Sequence, residues 1–172
     1  MYPDDAEKQA EMRNILQRKA RDNSRTPVQW TADQHAGFTS PGSKPWMRVN
    51  DDYKDVNVAA QLSNSDPEQS VLAFWRRGLK HRKIHKSVFV YGDFELVDPD
   101  HAKVVAYRRW SKEEAVLVVL NFGGERVVWK GMGGLKVDKW WTGNYADKDL
   151  DGKAKEGDIA LRPWEGLIGS LE

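Results

Sequence analysis

The sequence predicts an α+β chain. Residues 1–87 read as helices joined by a long loop, and residues 88–172 as an antiparallel β-sandwich of about seven or eight strands. Three observations lead there. Apolar residues recur at helical spacing before about residue 87 and at strand spacing after it. Turn clusters (Asn121-Phe122-Gly123-Gly124, Gly131-Met132-Gly133-Gly134, Asp151-Gly152) punctuate the second half at short intervals. Ala115 to Leu120 is an unbroken apolar run, as expected of a strand covered on both faces.

The first helix is predicted from about Asp4 to Ala20. Acids come early (Asp4, Asp5, Glu7) and bases late (Arg13, Arg18, Lys19), an order that complements the helix dipole. Its apolar set is thin, so it needs a surface to lean on. From Arg21 to Asn64 the chain is rich in Pro, Gly, Asn, Asp and Ser, yet it carries Trp30, Phe38, Trp46 and Tyr53. A loop this long is functional or disordered, and spaced aromatics favour an ordered, specialised loop. A second helix follows, with Asp66 as N-cap, Pro67 at the first position and Gln69 completing a capping box. Its stripe is Val71, Leu72, Phe74, Trp75 and Leu79, and its end is basic through Lys80, His81, Arg82, Lys83, His85 and Lys86. Strands are predicted at 88–91, 94–97, 104–110, 115–120, 126–129, 136–141, 158–161 and 167–171.

Composition narrows the function. The 172 residues carry a net charge of +1, which gives no general attraction to nucleic acid or anionic lipid. No apolar run approaches membrane-spanning length, and the acidic start differs from a secretory leader. With no cysteine there is no disulfide, thiolate metal site or cysteine nucleophile. Eight Trp, five Tyr and five Phe suffice for a packed core. The expected partners therefore include neither nucleic acid nor membrane, and no cofactor is predicted.

Several constellations could carry chemistry. The acids at Asp51-Asp52, Asp98-Asp100, Glu113-Glu114 and Asp147-Asp149-Asp151 read as solvated turns. His81 and His85 stand four apart, but the zinc-protease pattern fails and the flanking positive charge opposes a dication. Asp147, Asp149, Asp151 and Asp158 match a calcium-loop spacing, against which stand strand-like flanks and Lys148, Lys153 and Lys155. The expectation is a polar hairpin loop and no metal. In Arg21-Asp22-Asn23-Ser24-Arg25-Thr26-Pro27-Val28-Gln29-Trp30, two arginines lie near one carboxylate. Such a fork either holds loop geometry or grips sugar hydroxyls and carboxylates.

Residues 21–30 closely resemble the RDHARTPMQW-type segment of maltases and oligo-1,6-glucosidases in the α-amylase family of glycoside hydrolases. The same resemblance extends, in order, through Ala36-Gly37-Phe38-Thr39, residues 44–53, residues 70–75 and Val90-Tyr91-Gly92-Asp93-Phe94. It continues through Val119-Leu120-Asn121-Phe122 and Pro163-Trp164-Glu165-Gly166, with intracellular fungal maltases nearest in look. It implies that residues 1–87 are the last loop and closing helix of a (β/α)8 barrel, residues 88–172 its C-terminal β-sandwich, and the cytoplasm its location. It also implies that Arg25, with Arg21 as a less certain companion, binds the non-reducing glucose of an α-glucoside oligosaccharide. Asn23 and Val28 depart from the family's usual His and Met.

The resemblance implies an absence as well. The family's nucleophilic Asp, acid/base Glu and stabilising Asp come from motifs upstream of this segment, and the sequence has no His-Asp dipeptide. Retaining hydrolysis needs two carboxyl groups about 5 Å apart, so the isolated chain is expected to be inactive. Burying the five stripe residues would contribute on the order of 10 kcal/mol, so a helix face left uncovered is expected to drive self-association. The other reading is a stand-alone carbohydrate-binding or stabilising module, with Trp110, Trp129, Trp140, Trp141 and Trp164 as possible stacking platforms.

Overall fold

The computed structural model describes residues 5–64 (Asn23 by its backbone only), 70–145 and 150–172. The chain divides into two compact units, Met1–Ser63 and Asn64–Glu172.

In the first unit, helix α1 spans Ala6–Lys19. Asp5 caps it, its carboxylate accepting from the Lys8 amide at 3.0 Å, as the early acids predict. No residue of α1 is buried, in keeping with its thin apolar set. The long loop is ordered as three 3-10 turns, Arg21–Ser24, Gln34–Gly37 and Asp51–Lys54, and a short helix α2, Val58–Leu62. Asn57 caps α2 through the Ala60 amide.

In the second unit, helix α3 spans Val71–Ile84 and its N-cap is Ser70, whose hydroxyl accepts from the Ala73 amide at 3.2 Å. The predicted cap at Asp66, with Pro67 and Gln69, lies outside the described residues. The predicted strand at 88–91 is instead a single helical turn, α4, Lys86–Phe89. Tertiary packing overrides β-propensity there: Val88 is buried against Val116 and Val118, with Phe89 packed beside them.

Seven strands follow among the described residues: β1 Asp93–Val97, β2 Val104–Trp110, β3 Ala115–Asn121, β4 Val127–Trp129, β5 Val137–Gly143, β6 Ile159–Leu161 and β7 Gly166–Leu171. They form a five-stranded antiparallel sheet in the order β1-β2-β3-β7-β5 and a two-stranded antiparallel sheet β4-β6. Alternation along β3 settles what each face meets. Leu117 and Val119 join Trp129, Ile159, Leu161 and Leu167 in the core shared by the two sheets. Val116 and Val118 face the other way, toward Val88, Phe89, Tyr107 and Trp141. The edge strand β5 pairs with β7 through two register shifts, which twist the sheet margin.

Polar contacts tie this unit together. Trp129, fully buried, donates its indole N–H to the Asp98 carboxylate at 3.0 Å. Arg109 ties the α4 end to the sheet by donating to the carbonyls of Phe89 and Gly92 at 3.0 and 2.7 Å. His85 and Ser87 both engage the Glu114 carboxylate, at 2.7 and 2.5 Å. Burial pushes Glu114 up, but the Ser87 hydroxyl, His85 and the Val88 amide outweigh it and hold the carboxyl below its ordinary range.

Glu165 is the most demanding of these groups. Its carboxylate is fully buried and accepts from Lys153 at 2.7 Å, from the Arg162 amide at 2.7 Å and from the Arg162 guanidinium at 3.0 and 2.6 Å. Burial raises its pKa, yet the Arg162 and Lys153 contacts together leave it lowered.

Two predictions follow from this packing. A Cβ at Gly92 would lie 2.6 Å from the carbonyl oxygens of both Val88 and Trp110, so the backbone must move to admit one. Gly92→Ala is expected to destabilise the chain by about 1–3 kcal/mol, read as a lower urea midpoint. Glu165→Gln strands two cations and is expected to cost about 3 kcal/mol at neutral pH. Because the folded-state pKa of Glu165 is depressed, its stabilisation is complete above the unfolded value and is lost as pH falls through the folded one. Urea titrations at about pH 7 and about pH 4 should therefore show a smaller acid loss in the variant than in the parent.

Candidate functional site

The first unit holds the loop on which the sequence places its candidate arginines. Thr26 precedes a proline, which disfavours helical backbone and ends the turn that begins at Arg21. Pro27 is buried, and two residues on, Gln29 acts as a hub. Its amide nitrogen donates to the Asp52 carboxylate at 3.1 Å and to the Val56 carbonyl at 2.5 Å. Its amide oxygen accepts from Asn50 at 3.2 Å, and its backbone carbonyl accepts from the Val58 amide at 2.9 Å. One residue thus gathers residues 50–58 onto the segment that follows Pro27.

Trp30 continues the clamp. Its carbonyl accepts from Ala59 at 3.0 Å, and its amide donates to the Ala36 carbonyl at 2.9 Å. Ala36 is fully buried and sits, with His35 and Gly37, in a run of three left-handed residues (φ 57°, 57° and 65°). Two of the three are not glycine, a strained arrangement of the kind that clusters at ligand-facing loops. A side chain at Gly37 would be strained at φ 65°, and its Cβ, 2.7 Å from the Thr31 hydroxyl, would force Thr31 to shift. Beyond this bend an open cavity of about 550 Å³ is lined by His35, Lys44, Trp46, Arg48 and Tyr53, among others. Arg48 is ion-paired with Asp51, and Trp46 is 66% exposed at the rim.

Arg21 and Arg25 take a different arrangement from the expected fork. Both are exposed, and among the described residues neither guanidinium pairs with the Asp22 carboxylate. The turn is closed instead by backbone: the Arg25 amide donates to the Asp22 carbonyl at 3.1 Å, and the Ser24 hydroxyl to the Arg21 carbonyl at 2.9 Å. Water solvates an exposed guanidinium well enough that an ion pair there gains little. Neither arginine lines the 550 Å³ cavity. Both charges remain available to a ligand.

Other candidates resolve into structure. Asp147 and Asp149 lie outside the described residues. Asp151 is exposed, and Asp158 stands 4.0 Å from the Lys130 ammonium. The Lys153 ammonium extends from the same loop to Glu165 and to the Ala160 carbonyl at 2.9 Å. Among the described residues, no three His, Asp or Glu side chains are grouped to hold a metal. His81 and His85 stack with Trp141, at centroid distances of 5.8 and 4.0 Å.

The carboxylates read as solvated turns include four with side-chain partners: Asp51 on Arg48, Asp52 on Gln29, Asp98 on Trp129 and Glu114 on His85. Glu165 is the one buried acid among the described residues, and with two cations holding it ionised it has no proton to donate as a general acid. Sequence reasoning missed Gln29. The one signal was its place inside the resembling 21–30 segment, where it was given no role of its own.

Among the described residues no helix is long and apolar enough to cross a membrane. The family profile described as "Alpha amylase, catalytic domain" matches residues 1–92. An α-glucosidase of Schizosaccharomyces pombe is 42% identical over 158 residues, covering 92% of this chain and 26% of that protein. An oligo-1,6-glucosidase of Saccharomyces cerevisiae is 34% identical over 167 residues, covering 94% of this chain and 27% of that protein. The chain thus spans about a quarter of the length of the relatives it matches. Among solved structures, an isomaltulose synthase of Erwinia rhapontici in complex with D-glucose superposes with a TM-score of 0.81 at 35% identity. That match covers 93% of this chain and 28% of the synthase. A family profile over more than half of the chain and relatives matched over nine-tenths of it leave one reading of ancestry: the chain belongs to the α-amylase family of glycoside hydrolases.

Proposed function

We propose that this chain is the C-terminal portion of an α-glucosidase that releases terminal α-linked glucose from maltose- or isomaltose-type oligosaccharides in the cytoplasm. In this reading residues 1–87 form the last loop and closing helix of the catalytic barrel, and residues 88–172 its C-terminal β-sandwich. The similarity to α-glucosidases over nine-tenths of the chain carries the reading. The exposure of Val71, Trp75 and Leu79 along one ridge of α3 supports it, since the neighbouring strands and helices of a complete barrel would cover such a ridge. Arg25, with Arg21 beside it, binds the non-reducing glucose, its free guanidinium donating to sugar hydroxyls. The groups that cleave the bond come from the rest of the barrel, and the chain by itself is inactive.

A chimera tests this. The chain replaces the matched segment of the S. pombe α-glucosidase, and glucose release from maltose is followed. The chimera is expected to hydrolyse maltose, and Arg25→Ala within it to lower kcat/KM by about 10- to 100-fold. The 172-residue chain alone should release no glucose. Hydrolysis by the purified chain, or a folded chimera without activity, would refute the proposal. The uncovered ridge of α3 also supports self-association of the free chain, which light scattering should register as species larger than a monomer.

A further inference from the structure

The five tryptophans of residues 88–172 separate sharply by environment. Trp129 and Trp140 are core residues, Trp110 and Trp141 are half-buried, and Trp164 is 61% exposed. Trp164 occupies the turn between β6 and β7, where the Glu165 amide donates to the Arg162 carbonyl at 3.2 Å and Pro163 and Trp164 hold the central positions. After a proline, the second central residue of such a turn favours glycine when φ is positive. Here φ is +55° and the residue is tryptophan. A bulky side chain at that dihedral is an outlier that persists only when its surroundings impose it.

The surroundings do so. The Trp164 amide donates to the Gly123 carbonyl at 3.0 Å, and its own carbonyl accepts from Asn144 at 2.7 Å. The Pro163 carbonyl accepts from the Tyr145 hydroxyl at 2.8 Å, and that of Arg162 from Asn121 at 2.8 Å. Arg162 itself is locked onto Glu165. The indole lies along Gly124, where a Cβ would be 3.8 Å from its Nε1. Glycines at 123 and 124 give no side chain to cover the ring, and Phe122, on the same turn, is also 61% exposed. Nearby, Lys103 and Glu125 form a solvent-facing ion pair at 2.6 Å, Lys103 lying 3.7 Å from where a Gly123 Cβ would stand.

We propose that Trp164 is a sugar-stacking platform that takes a glucose-type pyranose ring of an α-linked oligomer on its open indole face. A pyranose whose hydroxyls are equatorial presents a flat face of polarised C–H groups, which the negative face of an indole attracts. Its hydroxyls then find a carboxylate and an ammonium at Glu125 and Lys103. The polar network fixes the backbone that carries the ring, so little backbone ordering accompanies binding. The inference goes beyond the hydrolase reading, because the platform binds sugar without cleaving it and is complete within this chain.

Calorimetric titration of maltoheptaose into the 172-residue chain should show saturable binding. Trp164→Ala should weaken it by about tenfold or more. Trp164→Gly should weaken it equally while melting at the same or a higher temperature, since glycine accepts the dihedral. A parent chain that does not bind maltoheptaose, or a Trp164→Gly chain that binds it as tightly as the parent, would overturn the proposal. Neither readout involves hydrolysis, so failure here leaves the chimera experiment untouched, and failure there leaves this one.

Discussion

Strand β3 has no solvent face, and the architecture of the second unit follows from that constraint. Its residues alternate between two apolar environments, so a one-residue slip against β2 or β7 would exchange the whole set Leu117 and Val119 for Val116 and Val118. The first pair needs the large rings and branched chains of β4, β6 and β7 to fill the shared core. The second needs a cover on the opposite face, which Val88, Phe89 and Trp141 provide. Segment 86–89 therefore gives up the extended form that the Val-Phe-Val run at 88–90 favours. A strand there would leave Val116 and Val118 without Val88.

The loops are organised by a different device. Where no ladder is available, a single polar side chain with several partners does the work of one. Gln29 holds residues 50, 52 and 56 in the first unit, and Glu165 holds 153 and 162 in the second. The two differ in what failure costs. Gln29 lies in a partly solvated loop, where water can replace a lost partner. Glu165 is sealed, and its removal leaves charge without solvent. This is why the turn carrying Trp164 can hold a dihedral its sequence disfavours.

Much of this was legible in the residues. The reversal of charge along 4–20 marked α1, the apolar run 115–120 announced a strand buried on both faces, and the Gly-rich clusters placed the turns. What escaped was long-range. Residues 88–91 look like a strand locally, yet Val88 and Phe89 close a helical turn because of β3, nearly thirty positions away. Asp98 and Glu114 look like solvated acids and are engaged by Trp129 and His85 across the fold. At the candidate site the motif around Arg21 and Arg25 stood out, yet the residue that shapes the loop is Gln29, whose partners begin 21 positions later. The fork failed for an energetic reason: exposed guanidinium groups keep their water when nothing desolvates the carboxylate between them.

The three parallel rings of His81, His85 and Trp141 carry a consequence of an optical kind. The emission of an indole depends on what lies against its face. Trp141 lies 4.0 Å from the His85 ring, within 17° of parallel, and His85 is in turn bonded to Glu114. The emission of this one indole therefore reports whether the end of α3 is seated on the sheet.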